Sequence, residues 1–367
     1  MPTDRYAARR KKLLRKLKAE KLGGMLVTNE LNVTWLTGFR GDSTWLLISP
    51  HDCILISDSR YTTQIENECP GLEMHIRKNT VKISDAAAEV LKSTKIKTLA
   101  YESDYVSVKS FDELSSALEL VELVPLPDVL VNLRAVKDAS EIQEIRDAVE
   151  QAERGHAVIR ASLLPEQTEL EIAHNLEHAM RGFGAVGVAF DPIIAVGTQA
   201  ALPHARPGNR KIKDDPILLT DWGAESAGGY RSDLTRTYMT GKKLTKKFEK
   251  VYQTVLKAQM DSIEQIRPGA NCSDIDKIAR KVIDDAGFGK YFGHGLGHGI
   301  GLNIHENPRF SPNSDHVLEA GMVVTVEPGI YFPDWGGIRI EDDVLVTKDG
   351  HEVLTSAPKS LEETLIG

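Results

Sequence analysis

The chain has 367 residues, which at roughly 100–200 residues per domain implies two or three domains. Acidic residues outnumber basic ones by 53 to 45, a net charge of −8, and this excludes a general nucleic-acid binder, which needs a basic face for phosphates. A hydrophobic content of 41% excludes disorder, no apolar run approaches the roughly 18 residues of a membrane span, and three scattered cysteines (Cys53, Cys69, Cys272) support neither a disulfide framework nor a zinc knuckle.

Residues 1–21 hold nine basic side chains and two acidic ones. They lack the apolar stretch of a secretory signal, and Leu13, Leu14 and Leu17 share one helical face, so a basic surface helix opening a cytoplasmic protein is expected. Runs at 24–28, 43–49, 53–58 and 98–102 read as strands, and 60–68, 82–93 and 107–119 as helices. That alternation predicts an α/β layer over residues 1–130, with no chemistry-bearing cluster, serving support or oligomerisation.

A boundary is expected near Pro125, Pro127 and Asn132. Beyond it, Asp138 with Glu141 and Thr168 with Glu171 have capping-box spacing before apolar stripes, which predicts two helices. Strands follow to about 240, then helices over 245–266 and 274–286, then strands to 356. The order of two helices then strands occurs twice, which suggests a pseudo-symmetric pair of halves.

Two motifs are decoys. His174-Asn-Leu-Glu177-His178 matches the inverted zinc-protease signature, but Ile172, Leu176 and Met180 form the buried face of that helix. Its histidines therefore point outward, where a metal has no walls. The glycines from Gly293 to Gly301 occupy alternate positions, which cannot satisfy a dinucleotide-binding loop. Strict alternation instead predicts extended chain that another backbone approaches closely.

The remaining signal is acidic. Ile217–Asp221 is an apolar run ending in a carboxylate, and Tyr230-Arg-Ser-Asp233 returns after a glycine-rich turn. A hairpin centred near Ala227 would set Asp221 opposite Asp233, with Cβ atoms about 5 Å apart. Facing like charges need a cation or a shared proton. Glu327 closes the apolar run Met322–Val326, and Ile338-Arg339-Ile340-Glu341 alternates between two faces. Four carboxylates on core-like strands, with the glycine-lined His298, carry the charge that two divalent cations would balance. An oxygen-rich set with one nitrogen suits Mn²⁺, Co²⁺ or Zn²⁺ better than a thiolate-seeking metal.

In these motifs the chain resembles the pita-bread metallopeptidases that act beside proline, the Xaa-Pro aminopeptidases and Xaa-Pro dipeptidases (prolidases). Asp221 lies in D-x-G, Asp233 in S-D-x-T-R-T, His298 in G-H-G-I-G, Glu327 in E-P-G-I-Y and Glu341 in I-R-I-E-D-D. The resemblance runs from Leu133 to Asp343 and reaches weakly into the first domain, through Thr34–Phe39 and Asp58–Tyr61. It implies an α/β (α+β) chain: a small creatinase/prolidase-type N-terminal domain over 1–130 and a pseudo-symmetric pita-bread catalytic domain over 131–367. It also implies that Asp221, Asp233, His298, Glu327 and Glu341 bind two divalent ions, Mn²⁺ or Co²⁺ before Zn²⁺. His204, His294 and His305 match histidines around the substrate, Tyr331 a tyrosine lining the site, and Arg339 an arginine that orients a metal-binding carboxylate. The turn between Asp221 and Asp233 is one residue longer than usual in the family, so a bulge is expected at its tip.

The implied reaction is hydrolysis of the peptide bond preceding proline. A hydroxide shared by the two metals would attack, Glu327 would carry the proton to the imino nitrogen, and His204 or His305 would steady the oxyanion. Proline-containing peptides are the expected substrates and a homodimer the expected state, with no nucleic-acid or membrane partner. Alternatives are a non-catalytic pita-bread binding module, which generally loses ligands, and a methionine-aminopeptidase-like exopeptidase, which usually lacks such an N-terminal domain. Creatine-type amidinohydrolases share the fold without the metal set. Aminopeptidase and dipeptidase remain open, since the choice depends on what closes the site beyond the second residue.

Overall fold

The computed structural model describes residues 2–119 and 121–366. The chain divides into two compact units, Met1–Arg134 and Ala135–Gly367. Among the described residues no helix is long and apolar enough to cross a membrane.

The first unit is built on a six-stranded sheet. Its spatial order is Glu73–Arg77, Cys53–Asp58, Trp45–Ile48, Gly24–Val27, Thr98–Tyr101 and Glu122–Pro125. Two antiparallel pairings occupy the middle, and the parallel ones flank them. The four inner strands follow the apolar runs in the sequence. The two edge strands do not, because each is only partly buried and mixes charged with apolar residues. The helix Glu30–Thr37 is also unmarked by periodicity, since Asn32, Val33, Trp35, Leu36 and Thr37 are all buried. Its ends are nonetheless explicit. Asn29 Oδ1 accepts from Leu31 N, and Gly38, at φ 87°, closes it by donating to Thr34 O. The opening helix, Pro2–Ala19, buries Leu13 and Leu17 and leaves Lys11, Lys12 and Arg15 exposed.

The second unit repeats one plan. Helices Ala139–Ala161 and Glu169–Gly182 pack together, as do Lys246–Ile263 and Cys272–Asp285. Both expected capping boxes form, Asp138 with Glu141 and Thr168 with Glu171. The first pair puts Ile172, Leu176 and Met180 against Ile194, Leu218 and Leu234 of a four-stranded sheet. That sheet runs Leu365–Ile366, Leu234–Thr240, Ile217–Trp222, Ile193–Val196. The second pair puts Phe248, Val255 and Ile275 into a core with Val324, Ile338 and Val344. Val324 and Val344 belong to a five-stranded sheet ordered Glu306–Phe310, Gly297–Gly299, Val323–Val326, Asp342–Val346, His351–Val353. A two-stranded ribbon, Gly329–Phe332 with Gly336–Arg339, lies in sequence between the last two long strands.

The hairpin expectation needs correction. Asp221 pairs with Thr235 and Trp222 with Leu234, so Asp221 and Asp233 are diagonal neighbours on one face and do not oppose each other. The same register reaches the tip at the Glu225–Arg231 bridge, and the expected bulge sits there: Ser226 O accepts from Gly229 N while Ser226 N donates to Tyr230 O, so Gly229 and Tyr230 both oppose Ser226. The extra residue is absorbed in the turn itself. There Gly229 adopts φ 84°, and the Glu144 carboxylate accepts from Ser226 Oγ and Gly228 N.

Alternate glycines behave as the sequence predicts at Gly295, Gly297 and Gly299. A Cβ at these positions would lie 2.6 Å from Phe310 O, 2.0 Å from Thr325 O and 2.1 Å from Asn307 O. Only glycine lets three strands approach so closely around His298.

Candidate metal centre

Each acidic residue singled out by the sequence stands where a strand begins, ends or changes sheet. Asp221 is next to last in Ile217–Trp222, and Asp233 immediately precedes Leu234–Thr240. Glu327 falls between Val323–Val326 and Gly329–Phe332, and Glu341 between Gly336–Arg339 and Asp342–Val346. Backbone bonds pin these junctions: Glu341 N donates to Thr235 O and Glu327 N to Leu296 O. Strand ends free a side chain from the sheet while the ladder fixes its Cα, which is how a rigid site is built.

The four carboxylates and His298 converge on a cleft of about 600 Å³, which His204, His294, His305 and Arg339 also line. Atoms of Asp233, His298 and Glu341 lie within 4.8 Å of one another. His298 Nδ1 bonds to Gly299 O (3.1 Å), which aims Nε2 at Glu327 Oε1 (3.4 Å) and Asp233 Oδ2 (3.7 Å). Burial, with His305 and Arg309 nearby, pushes the His298 imidazole down to about 3, so the ring is neutral and its Nε2 lone pair is available.

Arg339 organises the wall behind the carboxylates. It donates through Nη2 to Asp221 Oδ2 (2.5 Å), through Nη1 to the Tyr331 hydroxyl (2.8 Å) and through Nε to Thr235 Oγ1 (3.0 Å). Thr235 Oγ1 in turn donates to Glu341 Oε2 (2.6 Å), and Asp343 Oδ2 accepts from Asp233 N (3.0 Å). Tyr331 is not among the cleft-lining residues; its hydroxyl lies between Arg339 and His294 Nε2 (3.0 Å). His294 Nδ1 is taken by Gly295 O (2.7 Å), which orients the ring. His305 packs edge-on against His298, with ring centroids 4.5 Å apart.

This arrangement is unstable on its own terms. Burial and the neighbouring carboxylates push Asp233 and Glu341 well above the carboxylate range, and burial raises Glu327 to about 8. Asp221 is raised as well, by burial that Arg339 only partly offsets. Its Oδ1 is buried without any hydrogen-bond partner, a costly state for a carboxylate oxygen. Among the described residues Arg339 is the guanidinium that bonds a carboxylate of this set, so four carboxylates still exceed the positive charge held against them, and the oxygen-rich donor set fits hard or borderline divalent cations.

Other residues reached the site unannounced by sequence. Arg206 and Arg309 line the cleft, and their guanidinium groups make no hydrogen bond or ion pair among the described residues. Phe190 and Phe310 add apolar wall. Arg206 follows His204 by two positions and Arg309 follows His305 by four, so proximity to a marked histidine was the available signal. The decoy histidines His174 and His178 are exposed on Glu169–Gly182, away from the cleft lining.

Comparison with known proteins agrees with this geometry. Residues 143–348 match metallopeptidase family M24, and residues 9–136 match the creatinase/prolidase N-terminal domain. An uncharacterized peptidase of Bacillus subtilis, YqhT, is 36% identical over 340 residues, covering 93% of this chain and 95% of that protein. The structure of an Xaa-Pro dipeptidase from Bacillus anthracis superposes with a TM-score of 0.92 at 35% identity, covering 98% of this chain and 100% of that one. An X-Pro aminopeptidase from Thermotoga maritima gives 0.88 at 34% identity, covering 98% and 99%.

Proposed function

The chain belongs to metallopeptidase family M24, and on that premise we propose that it hydrolyses the peptide bond preceding proline in short peptides. One observation carries the reading: three buried carboxylates, the partly buried Glu327 and a neutral imidazole meet at the floor of a cleft ringed by three further histidines. Asp221, Asp233, His298, Glu327 and Glu341 are the residues that would hold two divalent ions, with Mn²⁺ or Co²⁺ favoured and Zn²⁺ next. Bound there, such ions supply Lewis acidity and bring the pKa of water toward neutrality.

The protein's own groups do the rest. Glu327, the most accessible of the carboxylates, holds the proton given up by the attacking water and passes it to the leaving imino nitrogen. His204 and His305, on the cleft wall, donate to the oxygen that gains charge as the carbonyl becomes tetrahedral. Arg339 orients Asp221, and Tyr331 orients His294. Proline's nitrogen carries no hydrogen, so the leaving side needs only to fit a compact ring, for which Phe190 and Phe310 provide apolar surface. Arg206 and Arg309 favour a substrate with a free carboxylate close to the scissile bond, which ranks an Xaa-Pro dipeptide above longer peptides. The same cleft in a cytoplasmic homodimer is the state this reading assumes.

The test is product analysis on Ala-Pro, Ala-Pro-Ala and Ala-Ala. Ala-Pro is expected to be cleaved with a kcat/KM about tenfold or more above the tripeptide, a preference of about 1.4 kcal/mol. Equal cleavage of Ala-Ala would refute the proline-directed reading, and faster cleavage of Ala-Pro-Ala would make the chain an aminopeptidase.

A further inference from the structure

The segment 197–208 carries His204, and one buried carboxylate ties its two ends together, beside the Arg210 side chain, which donates to Val196 O (3.3 Å) and Thr198 Oγ1 (3.0 Å). Five consecutive residues, Pro203, His204, Ala205, Arg206 and Pro207, line the cleft. Among the described residues, the stretch from Leu202 to Pro207 makes two hydrogen bonds, both local: Leu202 N to Gln199 O and Ala205 N to Leu202 O. Neither ties it to the sheet. The first part of the segment is better fixed, because the short turn Gly197–Ala201 lies against Gly336 and Gly337, whose close approach to Gly197 O and Ala200 O leaves no room for a Cβ.

Glu169 closes the segment from behind. It is the first residue of the helix Glu169–Gly182 and only 1% exposed. Its Oε1 accepts from Val196 N (2.7 Å), and its Oε2 accepts from Gly208 N (2.9 Å). One carboxylate thus bridges the two ends of a twelve-residue excursion. The helix start reinforces the junction, since Glu169 N donates to Arg210 O (3.0 Å) and Leu170 N to Gly208 O (3.1 Å). A negative charge in the first helical turn is also favoured by the helix dipole.

We propose that Glu169 is a positioning residue, acting through the two ends of segment 197–208 to hold His204 against the reacting carbonyl. It touches no substrate. The proposal rests on the reading of His204 given above, and it goes beyond that reading in assigning a residue outside the cleft to the catalytic geometry. A carboxylate accepts at both oxygens, whereas an amide offers one acceptor and turns a donor toward the second N–H. Glu169→Gln therefore keeps the volume and breaks one end of the clamp.

The experiment combines a double-mutant cycle with amide exchange on the metal-replete full chain. Glu169→Gln is expected to lower kcat/KM toward Ala-Pro by about tenfold or more with metal content unchanged. In a His204→Ala background, the same substitution should cost less than about twofold, because the positioned group is gone. Amide exchange in a peptide spanning 197–208 should quicken in Glu169→Gln while the strand Ile217–Trp222 keeps its protection. Equal losses in both backgrounds, or unchanged exchange in 197–208, would overturn the proposal. Undiminished turnover by His204→Ala alone would instead refute the role given to His204, and exchange would then decide whether Glu169 holds the segment. Should the glutamine variant fail to fold, Glu169→Asp, which keeps the charge but is one methylene shorter and so cannot reach both amides as Glu169 does, gives the same comparison.

Discussion

Asp233→Ala and His298→Ala are each expected to lower kcat/KM on Ala-Pro by about a thousandfold or more, with a matching loss of bound metal. The size of the effect follows from where these groups stand. Asp233 sits among Glu341, Asp221, Asp343 and Glu327, whose mutual repulsion in a buried space already drives its proton affinity up. Removing it takes away a carboxylate at the centre of the acidic cluster, and with it part of the field a cation would meet. His298 supplies the nitrogen, held neutral by burial and aimed by its bond to Gly299 O. The control is His174→Ala with His178→Ala, on an exposed helical face, which should leave activity within twofold of the parent. Metal content by elemental analysis and steady-state kinetics check both outcomes together. Retained metal-dependent turnover in either ligand variant would remove the residue from the centre.

Gly297→Ala should be strongly destabilising for a single added methyl. The new Cβ would lie 2.0 Å from Thr325 O and 2.8 Å from Thr325 C, both backbone atoms of the neighbouring strand Val323–Val326. Neither can rotate away, so the strand Gly297–Gly299 must move and His298 with it. A cost of about 3 kcal/mol or more is expected, which in a domain of this size is a fall of roughly 6–12 °C in Tm. Thermal unfolding by circular dichroism measures it. Gly293→Ala, where no atom lies within 4 Å of the added methyl, should leave Tm within about 2 °C. A Gly297→Ala variant as stable as the parent would contradict the close strand packing that frames His298.

Much of this architecture was readable from the sequence, and the reasons differ by element. Helix starts at Asp138 and Thr168 were explicit, because capping is a local interaction written within four residues. The residues that meet in the cleft were marked by the cost of their placement. Acids at or beside the ends of apolar strands, such as Asp221 and Glu341, require a reason to be buried. Register was harder. A shift of one residue at the turn moves each pairing by two positions, and the bonds from Glu144 that settle the turn come from a helix more than eighty residues away. Edge strands escaped because half-exposed strands need no apolar run.

The contributions of Arg206, Arg309, Thr235 and Glu169 were hidden for a different reason. Each acts through a contact set by tertiary packing, and each belongs to a residue type common on protein surfaces. The sequence of Glu169-Leu-Glu171 reads as an acidic first helical turn and nothing more. Only the fold separates Glu171, which caps its own helix, from Glu169, which reaches across to Val196 and Gly208.

The central claim is that the buried acidic cluster works as a divalent-metal centre, and a metal titration tests it most directly. Chelator-treated protein, freed of chelator, should show no turnover of Ala-Pro. Activity should rise with added Mn²⁺ and level off near two equivalents per chain, while Asp233→Ala under the same titration stays inactive. Full turnover of Ala-Pro by the chelated, metal-free protein would contradict it.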